Sequence, residues 1–300
     1  MAISAIKTTS LAKYYGKNRG IAGVDLDVQE GEIFGFIGPN GAGKSTTIKL
    51  LLNFIFPTSG AAQIFGMDCV HQSAAIKRGV GYVPAEVRGY EEQRVWRVLK
   101  FGASFVRGKG VQERLFDLCE LFEVETDKKM RQLSTGNKKK VALVQALLAQ
   151  PALLILDEPT SGLDPLMRHR LFSVLEQENE QGMTVFMSSH NLDEVQQICG
   201  RVAVIKEGSI ITTSSLQKVR RARGSRVQVH CEALTVDMLE RIGATDIQLH
   251  EARTDFRYAG DMDALVRMLA ALHISGLRIE EDSLDEAFMR FYSQQGEDEA

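Results

Sequence analysis

The stretch Gly38-Pro39-Asn40-Gly41-Ala42-Gly43-Lys44-Ser45-Thr46 constrains this chain more than any other. It fits a pattern of glycine, four free positions and then Gly-Lys-Ser, whose backbone wraps closely around a polyphosphate. Gly38, Gly41 and Gly43 carry no Cβ, so the main chain can bend and turn its N–H groups inward. Lys44 is then placed to reach the β- and γ-phosphates of a nucleotide triphosphate, and the Ser45 hydroxyl to meet Mg²⁺. The flanks agree. Ile33-Phe34-Gly35-Phe36-Ile37 reads as a short buried strand, and Ile48, Leu51, Leu52 and Ile55 recur at helical spacing. Strand, loop and helix would set the phosphates at a helix N-terminus, where unpaired donors and the dipole favour anions.

A nucleotide site of this kind needs a carboxylate near the metal, and the chain offers a pair. Pro151 and Pro159 bracket Ala152-Leu153-Leu154-Ile155-Leu156-Asp157-Glu158, an apolar run typical of a strand buried on both faces of a parallel sheet. Open α/β sheets place their ligands at the carboxyl ends of such strands. Asp157 answers to the metal-holding aspartate, and Glu158 is the adjacent candidate for general base or water positioner. Thr184 to Met187 is another buried strand, ending in Ser188-Ser189-His190, which brings a histidine to the same edge. Asn191 caps the helix that follows it.

Three further segments bear on the site. Tyr14-Tyr15-Gly16 can offer a flat ring to a base. In Leu133-Ser134-Thr135-Gly136-Asn137, followed by Lys138-Lys139-Lys140, Ser134 is a good N-cap for a helix traced by Val141, Val144 and Leu148. The plain reading is a capped helix with a solvated lysine run. The sharper one is a second anion site, with free N–H groups near Gly136 facing outward. Ser161-Gly162-Leu163-Asp164-Pro165 forms a tight turn into a long helix.

Composition sets the outer limits. Three hundred residues suit one large domain and a smaller one, and the 44% hydrophobic content supplies a sizeable core. A net charge of −3 gives no general case for nucleic-acid binding, and none is expected. The four cysteines lie far apart without metal-ligand spacing and read as buried apolar residues in a reducing compartment. No apolar run approaches the ~20 residues a membrane helix needs. The expected place is therefore the cytosol, with any membrane role exercised through a partner.

The rest of the chain is expected as follows. Val24 to Val28 alternates like a half-exposed strand, Gly79 to Pro84 forms a short strand, and Glu86 to Leu133 is a helical insertion. Val202 to Ile205 and Ile210 to Thr213 form a hairpin across Glu207-Gly208. The basic run Lys218 to Arg226 reads as a solvated linker, with contact to anionic headgroups as the alternative. Residues 227–300 read as a small α+β domain that ends in a capped helix over Ser283 to Tyr292, with no cluster of chemistry-bearing residues.

Taken together, these motifs in this order resemble the ATP-binding subunit of an ATP-binding-cassette (ABC) transporter over roughly Ile3 to Leu216. The resemblance implies an α/β fold. It would be a P-loop NTPase cassette with a mostly parallel sheet, an antiparallel β subdomain and a helical subdomain at about 86–135, plus the small α+β C-terminal domain. The cassette would span residues 1–217 and the linker 218–226. It also implies that Tyr15 stacks on adenine, that Gly38 to Thr46 is the Walker A loop, and that Ser45 and Asp157 hold Mg²⁺. Glu158 and His190 would be catalytic, and Asp164 would lie in the D-loop. Ser134, Thr135, Gly136 and Asn137 stand at the signature motif, which reads Leu-Ser-Thr-Gly-Asn rather than Leu-Ser-Gly-Gly-Gln. It would meet ATP across a dimer of ATPase subunits, homo- or heteromeric.

At the Q-loop glutamine position stands Ala85, followed by Glu86. Either Glu86 takes that part or the coupling to the membrane partner is altered. Ser283-Leu284-Asp285-Glu286-Ala287-Phe288 is similar to the tails of ABC-2-type exporters of drugs, antibiotics or lipids. The expectation is thus an ATP- and Mg²⁺-dependent ATPase, peripheral on the cytoplasmic face of the membrane, that powers export through an integral membrane permease. A cassette acting on the ribosome or DNA, or a regulatory module with weak or no hydrolysis in a heterodimer, are the alternatives.

Overall fold

The computed structural model describes residues 4–216, 224–231, 233–250 and 253–281. The chain divides into two compact units, Met1–Ser214 and Ser215–Ala300.

The first unit is built on a six-stranded sheet with strands β4 (Ile33–Ile37), β7 (Val80–Val83), β8 (Leu153–Asp157), β9 (Thr184–Ser189), β10 (Arg201–Lys206) and β11 (Ser209–Ser215). Their order is β11-β10-β4-β9-β8-β7, and the four neighbouring pairs from β10 to β7 are parallel. Every residue of β4, β8 and β9 is buried, as near-continuous apolar runs in a parallel sheet require. Register aligns Ile37 with Ser189, and Asp157 with Ser188. The phosphate loop, both carboxylates and His190 therefore leave from one edge. β10 and β11 form the expected hairpin, with Glu207 and Gly208 both at positive φ.

Against this sheet lies an antiparallel one, in which the long β1 (Ser4–Tyr15) pairs with β2 (Asn18–Val24), β3 (Asp27–Gln29) and β5 (Ser59–Ile64), and β5 pairs with β6 (Met67–Asp68). The strand expected over Val24 to Val28 is two strands. The buried Thr8 hydroxyl donates to Val24 O and accepts from Leu26 N, both at 2.8 Å, which takes these groups out of the ladder. Between the sheets sit Ile6, Leu11, Ile48, Leu51, Phe34, Phe36 and Phe186.

Helix α1 (Lys44–Leu51) follows the phosphate loop and ends a residue before Leu52, so Ile55 lies beyond it. A short α2 (Ser73–Ile76) precedes β7. The helical insertion holds α3 (Val95–Ala103) and α4 (Val111–Leu121), joined through Gly108 and Gly110 at positive φ. α5 (Thr135–Leu148), α6 (Pro165–Glu180) and α7 (Leu192–Ile198) complete the unit, with Ser134, Asp164 and Asn191 as side-chain N-caps.

The second unit is a four-stranded antiparallel sheet of β12 (Ser225–His230), β13 (Thr245–Leu249), β14 (Thr254–Tyr258) and β15 (Gly276–Glu281), in the order β13-β14-β12-β15. With α8 (Val236–Arg241) and α9 (Met262–Ala270) it encloses Val227, Val229, Leu239, Phe256, Leu265 and Leu269. Ser225 and Arg226, expected in the basic linker, belong to β12. Ser225 starts the inward alternation with Val227 and Val229. The rest of the basic run from 218 to 223, the Ser283 to Tyr292 helix and the Ser283 to Phe288 motif lie outside the described residues.

Candidate nucleotide site

The phosphate loop is shaped by contacts that only glycine permits at two positions. A Cβ on Gly38 would lie 2.2 Å from Ile205 O, and one on Gly43, at φ 114°, 2.5 Å from Ile21 Cγ2. Gly43 is also the N-cap of α1, which has no side-chain cap and no acidic residue in its first turn. Among the described residues no side chain caps that helix start, which leaves its backbone donors to phosphate oxygens. Ala42 N closes the loop on Pro39 O at 3.1 Å, leaving Asn40 and Gly41 exposed. Lys44 is buried beneath the arch. Its Nζ donates to Gly38 O at 2.6 Å and Pro39 O at 3.3 Å, and stands 3.1 Å from Glu158 Oε1.

Glu158 joins three elements. Its second carboxylate oxygen hydrogen-bonds His190 Nδ1 at 2.6 Å, while its N–H donates to Ser188 O and Oγ, each at 3.2 Å. Its φ is +50°, the left-handed region that a residue with a side chain enters at a cost. Asp157, buried at the end of β8, accepts from Ser188 Oγ at 2.7 Å. Behind them, Thr160 Oγ1 and Ser189 Oγ both donate to the buried Glu194, which also pairs with Arg168. This network ties the segment after Glu158 to α7.

The lysine run is not a solvated face. Lys139 is fully buried, and its Nζ donates to Ala85 O at 2.7 Å, Pro84 O at 2.8 Å and Glu158 O at 3.1 Å, with Asp157 O at 3.5 Å. Burial pulls its ammonium down to about 8, against the opposing pull of Asp157 and Glu158. Sequence reasoning missed this residue and Ser188. The helix repeat held a signal for the first, because Lys139 shares a face with the buried Gly136 and Leu143.

The other expected site residues fall around this centre. Tyr15, at the end of β1, is about half exposed with Lys13 Nζ 5.5 Å from its ring centroid. A Cβ on Gly20 would lie 2.9 Å from its Cε2 and 3.2 Å from Thr46 Cγ2, so the ring stands beside the start of α1. Ser45 and Thr46 are half-buried. At α5, Ser134 and Thr135 are exposed, whereas Gly136 is buried: a Cβ there would lie 2.1 Å from Gly162 O. The backbone of Gly162 thus packs directly against the start of α5 at Gly136. Asn137 N donates to Ser134 Oγ at 3.2 Å and its carboxamide to Glu125.

Asp164 accepts from Met167 N, and this backbone bond, aided by Lys140, holds its carboxyl below the usual range. Ala85 lends only its carbonyl to Lys139. The exposed Glu86 pairs with Arg88 at 2.6 Å, and that bond lowers its own carboxyl. Its carboxylate is thus committed to Arg88 rather than to Lys44 or Asp157.

Among the described residues, no group of three or more His, Cys, Asp and Glu side chains is arranged to hold a metal. One hydroxyl and one carboxylate, Ser45 and Asp157, suit a cation that takes most of its ligands from phosphate and water. Mg²⁺ is such a cation.

The ABC transporter family model matches residues 21–161. The chain is 33% identical over 300 residues to the bacitracin transport ATP-binding protein BcrA of Bacillus licheniformis, covering 95% of this chain and 96% of that protein. It is 30% identical to the daunorubicin/doxorubicin resistance ATP-binding protein DrrA of Streptomyces peucetius, over 95% and 91%. Among solved structures it is similar to an ATP-binding subunit of an ABC transporter, with TM-score 0.68 and 30% identity over 73% of this chain and 92% of that one. The dimeric structure of MJ0796, a bacterial ABC transporter cassette, gives 0.65 at 25% identity, over 70% and 98%. The chain belongs to the ATP-binding subunits of ABC transporters and is an ABC transporter ATPase.

Proposed function

We propose that this subunit hydrolyses ATP at a site completed by a second cassette, and so powers export of an antibiotic- or drug-class cargo through a separate membrane permease. The observation that carries hydrolysis is the position of Glu158 between Lys44 and His190. Lys44 offers its charge to the β- and γ-phosphates, Glu158 takes or orients a proton of the attacking water, and His190 fixes the free carboxylate oxygen. Ser45 and Asp157 would hold Mg²⁺, which would neutralise charge on the phosphates. Tyr15 offers its face to adenine.

Export rests on the relatives named for bacitracin transport and for daunorubicin/doxorubicin resistance. Dimerisation rests on the exposed Ser134 and on the dimeric cassette of similar fold. No helix of the described residues is long and apolar enough to cross a membrane. The path for cargo would then be a partner's, with this subunit peripheral on the cytoplasmic face. Tyr90, Phe101 and Phe105 form an exposed aromatic cluster, with ring centroids 6.2 and 5.0 Å apart, that suits such a partner.

The test is tolerance of cells co-expressing the subunit and its permease to bacitracin, daunorubicin and a panel of amphiphilic antibiotics. Tolerance to at least one compound should rise and should vanish in Lys44→Ala. No rise for any compound would overturn the cargo assignment.

A further inference from the structure

Lys139 is the one lysine of the described chain with no accessible surface, and its surroundings explain how it is tolerated. A buried ammonium is costly unless each of its three N–H groups finds an acceptor. Here three carbonyls lie within 3.1 Å and a fourth at 3.5 Å. All four are main-chain oxygens. They come from the residues just past β7 (Pro84, Ala85) and from the end of β8 onward (Asp157, Glu158), two strands paired through Val83 and Leu156. One side chain of α5 thus clamps the ends of two neighbouring strands.

The clamp acts where the backbone most needs holding. Glu158 sits at positive φ, and such a conformation persists only when its surroundings over-determine it. Ser188 holds its N–H on one side and Lys139 its C=O on the other. With both peptide groups fixed, the carboxylate is aimed between Lys44 and His190. Ala85 has no polar side chain for any such task, but its carbonyl makes the shortest of the four bonds. Little more than one turn back toward the start of the same helix, Ser134 is exposed at the N-cap.

We propose that Lys139 is a positioning residue that couples the start of α5 to Glu158 and to the Ala85 segment of the same cassette. The inference rests on the reading above, in which Ser134 serves the second cassette's nucleotide and Glu158 serves this cassette's own. Engagement of Ser134 moves or stiffens α5, and the clamp passes this to the carboxylate that acts in the other site. The two ATP sites then fire in concert.

The test is steady-state ATP hydrolysis by the purified full-length chain, in the complex that co-purifies with it, together with ATP binding measured separately. Lys139→Met keeps the length and apolar stem but loses the donors. It should bind ATP within roughly twofold of wild type, lose about tenfold or more in kcat, and lower a wild-type Hill coefficient above 1 to about 1. Lys139→Arg, which keeps donors and charge, should recover part of both. If Lys139→Met does not fold, Lys139→Gln takes its place under the same two readouts. An unchanged kcat, a fallen kcat with an unchanged Hill coefficient, or a wild-type Hill coefficient of 1 would overturn the coupling. Glu158→Gln run in parallel separates the two ideas: wild-type turnover in that variant defeats the hydrolytic reading itself, not the clamp.

Discussion

Lys44 Nζ and Glu158 Oε1 stand 3.1 Å apart with side chains 6% and 15% exposed, so the cation of the phosphate loop is paired with the carboxylate that follows β8. An incoming γ-phosphate must share this lysine with Glu158. Glu158→Gln removes the competing charge, so the variant should bind ATP a few-fold more tightly while hydrolysing it about 10²- to 10⁴-fold more slowly. Equilibrium titration with a fluorescent ATP analogue, set beside single-turnover hydrolysis, reads both. Weaker binding in Glu158→Gln would show that the pair assists the nucleotide rather than competing with it.

Ser134 caps α5 and, in the proposed dimer, would also meet phosphate, two tasks that substitution can separate. Its oxygen caps α5 by accepting from Asn137 N, which leaves its own proton to donate outward. Ser134→Asp preserves the cap, since aspartate serves as well there, but sets a negative charge where a phosphate would dock. In the Glu158→Gln background the serine protein should accumulate as an ATP-bound dimer, and Ser134→Asp should stay monomeric at an unchanged melting temperature. Sedimentation with ATP and Mg²⁺ decides it, and a dimer of equal stability in Ser134→Asp removes Ser134 from the interface.

Gly35, central in β4, lets α7 approach the sheet. A Cβ there would lie 2.2 Å from Val195 Cγ1, whereas one on Gly200 meets nothing within 4 Å. Gly35→Ala should cost about 1–3 kcal/mol of stability as an overpacked site. Gly200→Ala should stay within about 0.5 kcal/mol of wild type. Urea denaturation compares them, and equal midpoints would contradict the packing.

The cysteines should differ sharply in reactivity. Burial, helped by Asp68, pushes the Cys69 thiol up to about 12, and burial alone raises Cys119 to about 11. Cys199 is also raised, by burial and then by Glu32. Only the thiolate attacks, so at pH 8 these three hold little of the reactive form. The partly exposed Cys231 should take up iodoacetamide first, and peptide mass spectrometry follows the order. Labelling of Cys69 as fast as Cys231 in the folded protein would refute it.

What the sequence reveals here is what short range determines. The phosphate loop, its flanking strand and the caps at Ser134 and Asn191 are set by neighbours within a few positions, and their residues spell them out. Lys139 is different. Its acceptors lie near residues 84 and 158, and nothing adjacent distinguishes it from Lys138, which stays at the surface on Glu91. Only its helical phase with Gly136 and Leu143 points inward. Thr8 splits an apparently regular strand from far away in the sequence, and Arg88 takes up Glu86 by a bond that residue spacing does not disclose.

The sheet order has a consequence for how this protein is made. β4, which carries the phosphate loop, is flanked by β9 and β10, strands synthesised much later. Gly38 is pinned to Ser189, and Ala42 to Gly208. On the ribosome the loop emerges long before its walls: β9 ends only at Ser189, and both walls are present only once translation has passed Lys206. Such non-local pairing delays closure and leaves apolar strand edges uncovered in the interval. The nascent chain therefore carries this glycine-rich segment without its walls until β10 has been made, and nucleotide can first be gripped only then.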